Sequence, residues 1–227
     1  MAMQFELTTL IGVEPIDVDV DVLLLAGYTG RDQAAVRAHI EELERHGVSA
    51  PSVVPTVFAV PATRLTTASR IAVYGERTSG EAEFVLYQRD GHLLVGVASD
   101  HTDRELEEYS VVKSKHGCDK PISFELWSCD DVDDHWDQLV LSADVLTETG
   151  PVRYQEGTLD SLMPRDSILE EVKRRAGTID RAMVFSGTLP LIGGEFRYGL
   201  GFRAQLLDPV LNRSLVCEYT VEVLRDL

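Results

Sequence analysis

The sequence predicts a β-rich α+β fold built as a single domain. Most apolar or alternating runs are of strand length, and clusters of turn residues separate them. Helical periodicity is confined to a few short stretches. No internal repeat, low-complexity tract or linker divides the 227 residues. We therefore expect a core made of sheets, with the helices packed outside it.

The predicted strands follow one another along the whole chain. In order, they span residues 4–11, 19–25, 56–60, 70–74, 81–87, 92–99, 139–145, 182–185, 203–207 and 215–224. The pair 81–87 and 92–99 is separated by Asp90-Gly91, which is a strong signal for a two-residue hairpin turn.

The clearest predicted helix spans residues 31–46, where apolar residues form one stripe. Thr29 and Asp32 are placed to form a capping box at its start, and Gly47 is placed to end it. Shorter helices are expected at residues 103–112, 130–138 and 165–176.

Composition excludes several classes of partner. The formal net charge is -17, which argues against binding to nucleic acid or to an anionic membrane. No stretch approaches the roughly 20 apolar residues that span a bilayer, and the amino terminus lacks the pattern of a signal peptide. The three cysteines are odd in number and lack Cys-x-x-Cys spacing, which favours a reducing compartment. We expect a soluble cytoplasmic protein.

The predicted hairpin brings three acidic residues together. With Asp90 and Gly91 as the loop, Glu81 lies directly opposite Asp100, and Glu83 shares the face of Glu81. Like charges in this arrangement repel unless something positive lies between them. An all-carboxylate donor set suits Mg, Mn or Ca. The alternation of Glu with apolar residues is also typical of an ordinary half-exposed strand, so a solvated face is the alternative.

Other polar groups are candidates for catalysis or substrate binding. His39 and Glu42 lie three residues apart on the predicted helix 31–46, where a carboxylate can orient an imidazole as a general base. Lys113 and Lys115 belong to one of the few cationic clusters, and a lysine near a metal can stabilise an oxyanion. The small-residue loop at Gly187-Thr188 offers backbone amides and a hydroxyl to a carboxylate.

These segments, in this order, resemble the fumarylacetoacetate hydrolase superfamily, and more closely its bacterial DUF2848 subfamily. That family has a glycine-led segment ending in His-x-x-Glu, a Phe-Lys-Pro strand, a Glu-x-Glu pair, an Asp-x-Thr-x-Arg-Asp segment, a catalytic Lys and a Gly-Thr-Pro-x-Gly loop. The corresponding stretches here are residues 26–32, 39–42, 57–61, 81–83, 100–105, 113–115, 155–158 and 187–190. The resemblance rests on ordered co-occurrence and covers about residues 22–205.

The resemblance implies a mixed β-roll with a few peripheral helices, in which residues 1–21 are an amino-terminal β extension and residues 22–227 the catalytic-type core. It implies a homodimer and a Mg2+ or Mn2+ ion held by Glu81, Glu83 and Asp100. His39 and Glu42 would activate water, and Lys113 or Lys115 would steady negative charge on a small anionic oxo acid of the acylpyruvate or oxaloacetate type. Gln155, Gly187 and Thr188 would contact that substrate.

The resemblance also leaves several assignments open. Gln33 competes with His39 for the catalytic histidine position, and Val60 stands near the place of the usual strand lysine. The implied reaction is hydrolysis or lysis of a C–C bond. A metal-dependent tautomerase or isomerase and a non-catalytic binding module on the same scaffold are the alternatives.

Overall fold

The computed structural model describes residues 1–45 and 50–225, with the side chains of residues 39 and 42–45 left out of the description. Seventeen strands form in the described residues: β1 Ala2–Thr9, β2 Gly12–Asp19, β3 Val22–Gly27, β4 Thr56–Pro61, β5 Leu65–Thr66, β6 Arg70–Tyr74, β7 Thr78–Ser79, β8 Ala82–Arg89, β9 His92–Ser99, β10 Thr102–Asp103, β11 Lys120–Pro121, β12 Glu125–Ser128, β13 Val140–Thr147, β14 Gly150–Thr158, β15 Ala182–Phe185, β16 Gly201–Asp208 and β17 Arg213–Leu224.

The helices are short and few, as the sequence predicts. They are α1 Gln33–Arg45, α2 Arg104–Tyr109, α3 Val111–Gly117 and α4 Arg165–Ala176, with 3-10 turns at Ala62–Arg64, Cys129–Asp131, Asp133–Gln138 and Leu159–Ser161. None of the described helices has the length and apolarity needed to cross a membrane.

The three shorter predicted helices agree with the structure to different degrees. Helix α4 has the predicted bounds, and Gly177 ends it with a left-handed φ of 82°. The predicted helix 103–112 is interrupted at Ser110, whose extended backbone caps α3. The stretch 130–138 forms 3-10 turns instead of an α-helix.

The start of α1 corrects the predicted cap. Asp32 accepts hydrogen bonds from the amides of Ala34 and Ala35, so it caps the helix alone. The Thr29 hydroxyl instead donates to the Ser186 carbonyl at 2.6 Å. The predicted end at Gly47 lies outside the described residues.

Two sheets carry the fold. The larger has the strand order β2-β1-β12-β9-β8-β15-β3-β4, and the smaller has the order β14-β13-β16-β17-β6. Both are mixed, because β1 with β12, β15 with β3 and β17 with β6 are parallel pairs among antiparallel ones. Two further two-stranded pairs, β10 with β7 and β11 with β5, flank the hairpin β8–β9.

Both faces of the larger sheet are buried. On one face, side chains such as Phe84 and Val97 pack against Phe202 and Leu206 of the smaller sheet. On the other face, strands from both ends of the sheet contribute to one apolar cluster, including Phe5 from β1 and Val60 from β4. A sheet whose ends share a cluster must curl, which agrees with the mixed β-roll that the family resemblance implies.

The predicted strands form, and those that the patterns miss are mainly at sheet edges. β2 and β14 are the outermost strands of their sheets. Edge strands bury fewer side chains, so charged residues and proline are tolerated in them, as Pro15 is in β2. Their sequences therefore lack the apolar alternation on which strand prediction depends.

Candidate metal centre

The hairpin β8–β9 has the predicted register. Its pairs run from Ala82 opposite Ser99 to Arg89 opposite His92. Asp90 and Gly91 both have left-handed φ values, 51° and 83°, as a two-residue turn of this hand requires. One residue beyond the strands, the Asp100 amide donates to the Glu81 carbonyl at 3.0 Å. The hairpin therefore places Glu81 opposite Asp100.

The three carboxylates meet at the end of this hairpin. One oxygen from each of Glu81, Glu83 and Asp100 lies within 4.8 Å of the other two. Glu83 is 2% exposed and Asp100 is 1% exposed. The alternative of a solvated strand face is wrong for these two residues, because β8 lies inside the larger sheet and is covered on both faces.

Buried cations face two of the three carboxylates. Lys115 Nζ lies 2.5 Å from Asp100 Oδ2 and 3.4 Å from Glu81 Oε2. Arg104 contacts Glu81 Oε1 at 3.2 Å, and Lys120 contacts Asp100 Oδ1 at 3.0 Å. Side chains thus supply much of the positive charge that the sequence alone suggested a metal would provide. Repulsion within the triad alone does not require a dication.

Glu83 differs from its two neighbours. Its Oε2 accepts a hydrogen bond from the Gly187 amide at 2.8 Å, and no ion pair to it forms among the described residues. Burial, followed by the nearby charge of Asp100, holds the pKa of Glu83 well above its usual value. A buried carboxylate in this state binds either a proton or a cation.

Asp100 has the opposite electrostatic character. Burial alone raises its pKa, but the charges of Lys115 and Lys120 outweigh burial and hold that pKa below its ordinary value. Asp100 is therefore ionised across the physiological range. Hard oxygen donors with one unneutralised carboxylate fit Mg2+, Mn2+ or Ca2+, so these residues are suited to hold such an ion.

The structure distinguishes the two lysines of the predicted cationic cluster. Lys115 is buried and directed at the triad, whereas Lys113 is exposed. Residues two apart on a helix point about 200° apart, so only one of the pair can face the site. Serine caps position the helix, since Ser110 Oγ accepts from the Lys113 amide at 3.4 Å.

Gln155, Gly187 and Thr188 form hydrogen bonds to the segments around the triad. Gln155 Oε1 accepts from the Ala82 amide at 2.9 Å, and its Nε2 donates to Thr188 Oγ1 and to the Leu189 carbonyl. The Thr188 hydroxyl donates to the Ala82 carbonyl at 2.8 Å. These bonds anchor the backbone between Glu81 and Glu83 and so help to position the two carboxylates. Contact of the three residues with a substrate stays a prediction.

The predicted catalytic base is not placed by the structure. The side chains of His39 and Glu42 lie outside the described residues. Gln33, the competitor for the histidine position, donates from its amide to the Gly30 carbonyl at 2.7 Å. Gly30 precedes α1, so that bond ties Gln33 to the loop in front of its helix.

Three residues at the site escaped the sequence analysis of function. Lys120 and Arg104 are buried counter-ions, and the Phe196 ring lies 4.2 Å from the Arg104 guanidinium carbon. Arg104 lies in the stretch 100–105 that carries the family resemblance, and that match could have identified it as a site residue. Lys120 has no comparable signal, because an isolated lysine is usually solvated.

The comparisons with known proteins agree with this fold. The sequence profile of DUF2848, described as a protein of unknown function, matches residues 26–219. No curated protein matches the chain in sequence.

Several solved structures are similar in fold. One is a 2-keto-3-deoxy-D-arabinonate dehydratase complexed with magnesium and 2,5-dioxopentanoate, with a TM-score of 0.65 at 14% identity over 94% of this chain and 78% of that one. A fumarylacetoacetate hydrolase from Exiguobacterium antarcticum has a TM-score of 0.65 at 15% identity, covering 91% of this chain and 76% of that one.

The yeast fumarylacetoacetate hydrolase family protein ynq8 has a TM-score of 0.60 at 17% identity, covering 90% of this chain and 94% of that one. At such low identities these likenesses show the fold. The profile match spans most of the sequence, and the chain therefore belongs to the DUF2848 family, with the fold of fumarylacetoacetate hydrolase proteins.

Proposed function

We propose that this protein is a divalent-metal-dependent hydrolase or lyase that acts on a C–C bond of a small oxo acid, of the acylpyruvate or oxaloacetate type. The observation that carries the proposal is Glu83, a buried carboxylate with no ion pair to it among the described residues, beside two further carboxylates. One of the structural neighbours, a dehydratase of a keto acid, is named as a complex with magnesium.

The residues of this chain would divide the chemistry between them. Glu81, Glu83 and Asp100 would hold Mg2+ or Mn2+, which when bound polarises carbonyl oxygens and lowers the energy of an enolate. Lys115 would donate to a substrate oxygen that gains negative charge. Arg104 would keep Glu81 in place, since it contacts both Glu81 and Glu107.

A metal-dependent tautomerase or isomerase is the second candidate. The side-chain amide of Gln33 donates to the Gly30 carbonyl in the loop before α1, and glutamine cannot act as a general base. If Gln33 occupies the histidine position of the family, water activation by that dyad is lost, while proton transfer aided by the metal and Lys115 is retained.

Three further features of the protein belong to the proposal. Three buried free cysteines support a reducing compartment such as the cytoplasm. The positions of β14 and β6 as outermost strands of the smaller sheet support a homodimer, because edge strands commonly pair across a two-fold axis. Residues 1–227 would act as one domain, since β1 and β2 join the sheet that carries the triad.

The decisive experiment measures metal binding and turnover together. Protein freed of metal with EDTA is titrated with Mg2+ or Mn2+ in a calorimeter, then assayed with acetylpyruvate and oxaloacetate by loss of enol absorbance and by product analysis. We expect saturable binding, metal-dependent turnover, and loss of both in Glu83→Gln. Binding without turnover of either substrate would favour a non-catalytic module, and enol–keto conversion without cleavage would favour the tautomerase.

A further inference from the structure

Two lysines contact Asp100, and they differ in what else they touch. Lys115 Nζ contacts Asp100 Oδ2 and Glu81 Oε2, so it lies between two carboxylates of the triad. Lys120 Nζ contacts only Asp100 among the three, through Oδ1, and donates to the His101 carbonyl at 2.6 Å. One ammonium is thus inside the cluster of carboxylates, and the other is at its edge.

Lys120 is held in place by the backbone around it. Its side chain is 0% exposed, and its strand pairs in parallel with Leu65 and Thr66. The next residues continue the pairing, with the Ile122 amide bonded to the Thr66 carbonyl and the Ser123 amide to the Val97 carbonyl. Lys120 therefore cannot leave Asp100 without abandoning a buried position in which no other carboxylate of the described residues forms an ion pair with it.

Lys115 is held by side chains, whereas Lys120 also bonds to a backbone carbonyl. The contact of Lys115 with Asp100 is short at 2.5 Å, but its others are long, at 3.4 Å to Glu81 Oε2 and 3.4 Å to Thr102 Oγ1. Its side chain is 10% exposed and ends a flexible four-carbon stem. A change of rotamer can move its ammonium group while the backbone of α3 stays in place.

We infer that Lys120 is a positioning residue that serves as the permanent counter-ion of Asp100, so that Lys115 can leave the triad when a dication binds and turn to an anionic substrate. The inference rests on the proposed function. A dication bound between Glu81 and Asp100 would repel the Lys115 ammonium group that lies there in the metal-free protein. The two cations therefore cannot occupy that position together. With Lys120 fixed on Oδ1, Asp100 stays paired when Lys115 leaves Oδ2.

Chemical labelling of the unmodified protein tests this directly. The chain is treated with formaldehyde and cyanoborohydride, in EDTA or in saturating Mn2+, and methylation of each lysine is measured by mass spectrometry. Lys113 and Lys173 are exposed and should be labelled equally in both conditions. We expect Mn2+ to raise labelling of Lys115 several-fold and to leave Lys120 unlabelled.

Two labelling results would overturn the inference. In the first, Mn2+ raises methylation of Lys120 as much as that of Lys115. In the second, Mn2+ leaves methylation of Lys115 unchanged. Mn2+ binding is measured separately by electron paramagnetic resonance. Absence of saturable binding would refute the proposed function, whereas saturable binding with unchanged Lys115 labelling would refute only the role given to Lys120.

A double-mutant cycle supplies a second measurement. Oxalate, a planar dianion shaped like a pyruvate enolate, is titrated into Mn2+-loaded Lys115→Met, Lys120→Met and the double variant, with Lys173→Met as the surface control. Loss of one charge-assisted contact predicts about tenfold weaker oxalate binding in each single variant. Because both act through the Lys115 ammonium, the double variant should bind oxalate no more weakly than Lys115→Met alone. Additive losses, or unchanged affinity in Lys120→Met, would contradict the inference.

Discussion

Replacing Glu83 with glutamine should stabilise the metal-free protein at neutral pH. The carboxylate is buried, accepts one hydrogen bond from the Gly187 amide and forms no ion pair among the described residues. Glutamine can keep that bond through its Oε1 while removing the charge. The buried charge costs about 1 to 3 kcal/mol, by the usual penalty for an incompletely satisfied buried group.

The expected change in melting temperature follows from the size of the chain. Unfolding entropy of about 2.1 cal/mol/K per residue over 227 residues amounts to about 0.48 kcal/mol/K. Glu83→Gln should therefore raise Tm by about 2 to 6 °C in EDTA at pH 7. Mn2+ at a hundred times its Kd should raise the Tm of the unmodified protein by about 6 °C, corresponding to about 2.7 kcal/mol, and should not raise that of the variant.

The stability advantage of Glu83→Gln over the unmodified protein should grow as pH rises. Because the pKa of Glu83 is raised in the folded state, the unmodified protein loses stability relative to the variant as pH rises above the unfolded value of about 4.5. The loss continues until pH passes the raised folded pKa. Calorimetric scans between pH 4 and pH 8 should show the two proteins converging at the acid end.

Glu81→Gln is the matched control. Glu81 contacts both Arg104 and Lys115. Its replacement takes one carboxylate from each of these buried cations, which keep only Glu107 and Asp100, and should lower Tm. A metal-free Glu83→Gln variant that melts below the unmodified protein at pH 7 would refute the reasoning, because it would show that the Glu83 charge is compensated.

The remaining predictions concern the surroundings of the triad. Asp100→Asn leaves Lys120 without its carboxylate partner and Lys115 with only the 3.4 Å contact to Glu81, so urea unfolding should show a loss of about 3 to 5 kcal/mol. Because the pKa of Asp100 is lowered in the folded state, this stability difference should be full above the unfolded pKa of about 3.8 and should shrink as pH falls from there towards the folded pKa. Gln155→Met leaves the Ala82 amide unpaired, so calorimetry should show about 1 to 3 kcal/mol lower stability and Mn2+ should bind more weakly; unchanged Mn2+ affinity would exclude a positioning role. Gly187→Ala, at a φ of 79°, places a Cβ against the Thr29 hydroxyl. It should lower the free energy of unfolding by more than Gly91→Ala, for which about 1 to 2 kcal/mol is expected because φ is 83° and no atom lies within 4 Å. Equal losses would show that the loop at Gly187 shifts without strain.

Local pattern was sufficient to predict the hairpin and the meeting of the three acids. A two-residue turn sets the register of its strands, and the two-residue period of a strand sets the faces of its side chains. Glu81 therefore lies opposite Asp100 with Glu83 beside it, independent of the rest of the fold. The bounds of α4 are predictable for the same reason, since Pro164 just before it and Gly177 just after it act within one turn.

Only the tertiary structure decided the electrostatics of those acids. Glu83 is buried because β8 is a central strand covered on both faces. The residues of β8 alone do not predict that position. Lys120, Arg104 and Lys115 reach the triad because α2, α3 and β11 pack beside the hairpin, and which of Lys113 and Lys115 faces inward depends on that packing. The period of a strand is a local property, whereas burial and counter-ions are set by segments distant in sequence, so the sequence determined where the carboxylates meet and the fold determined their charge.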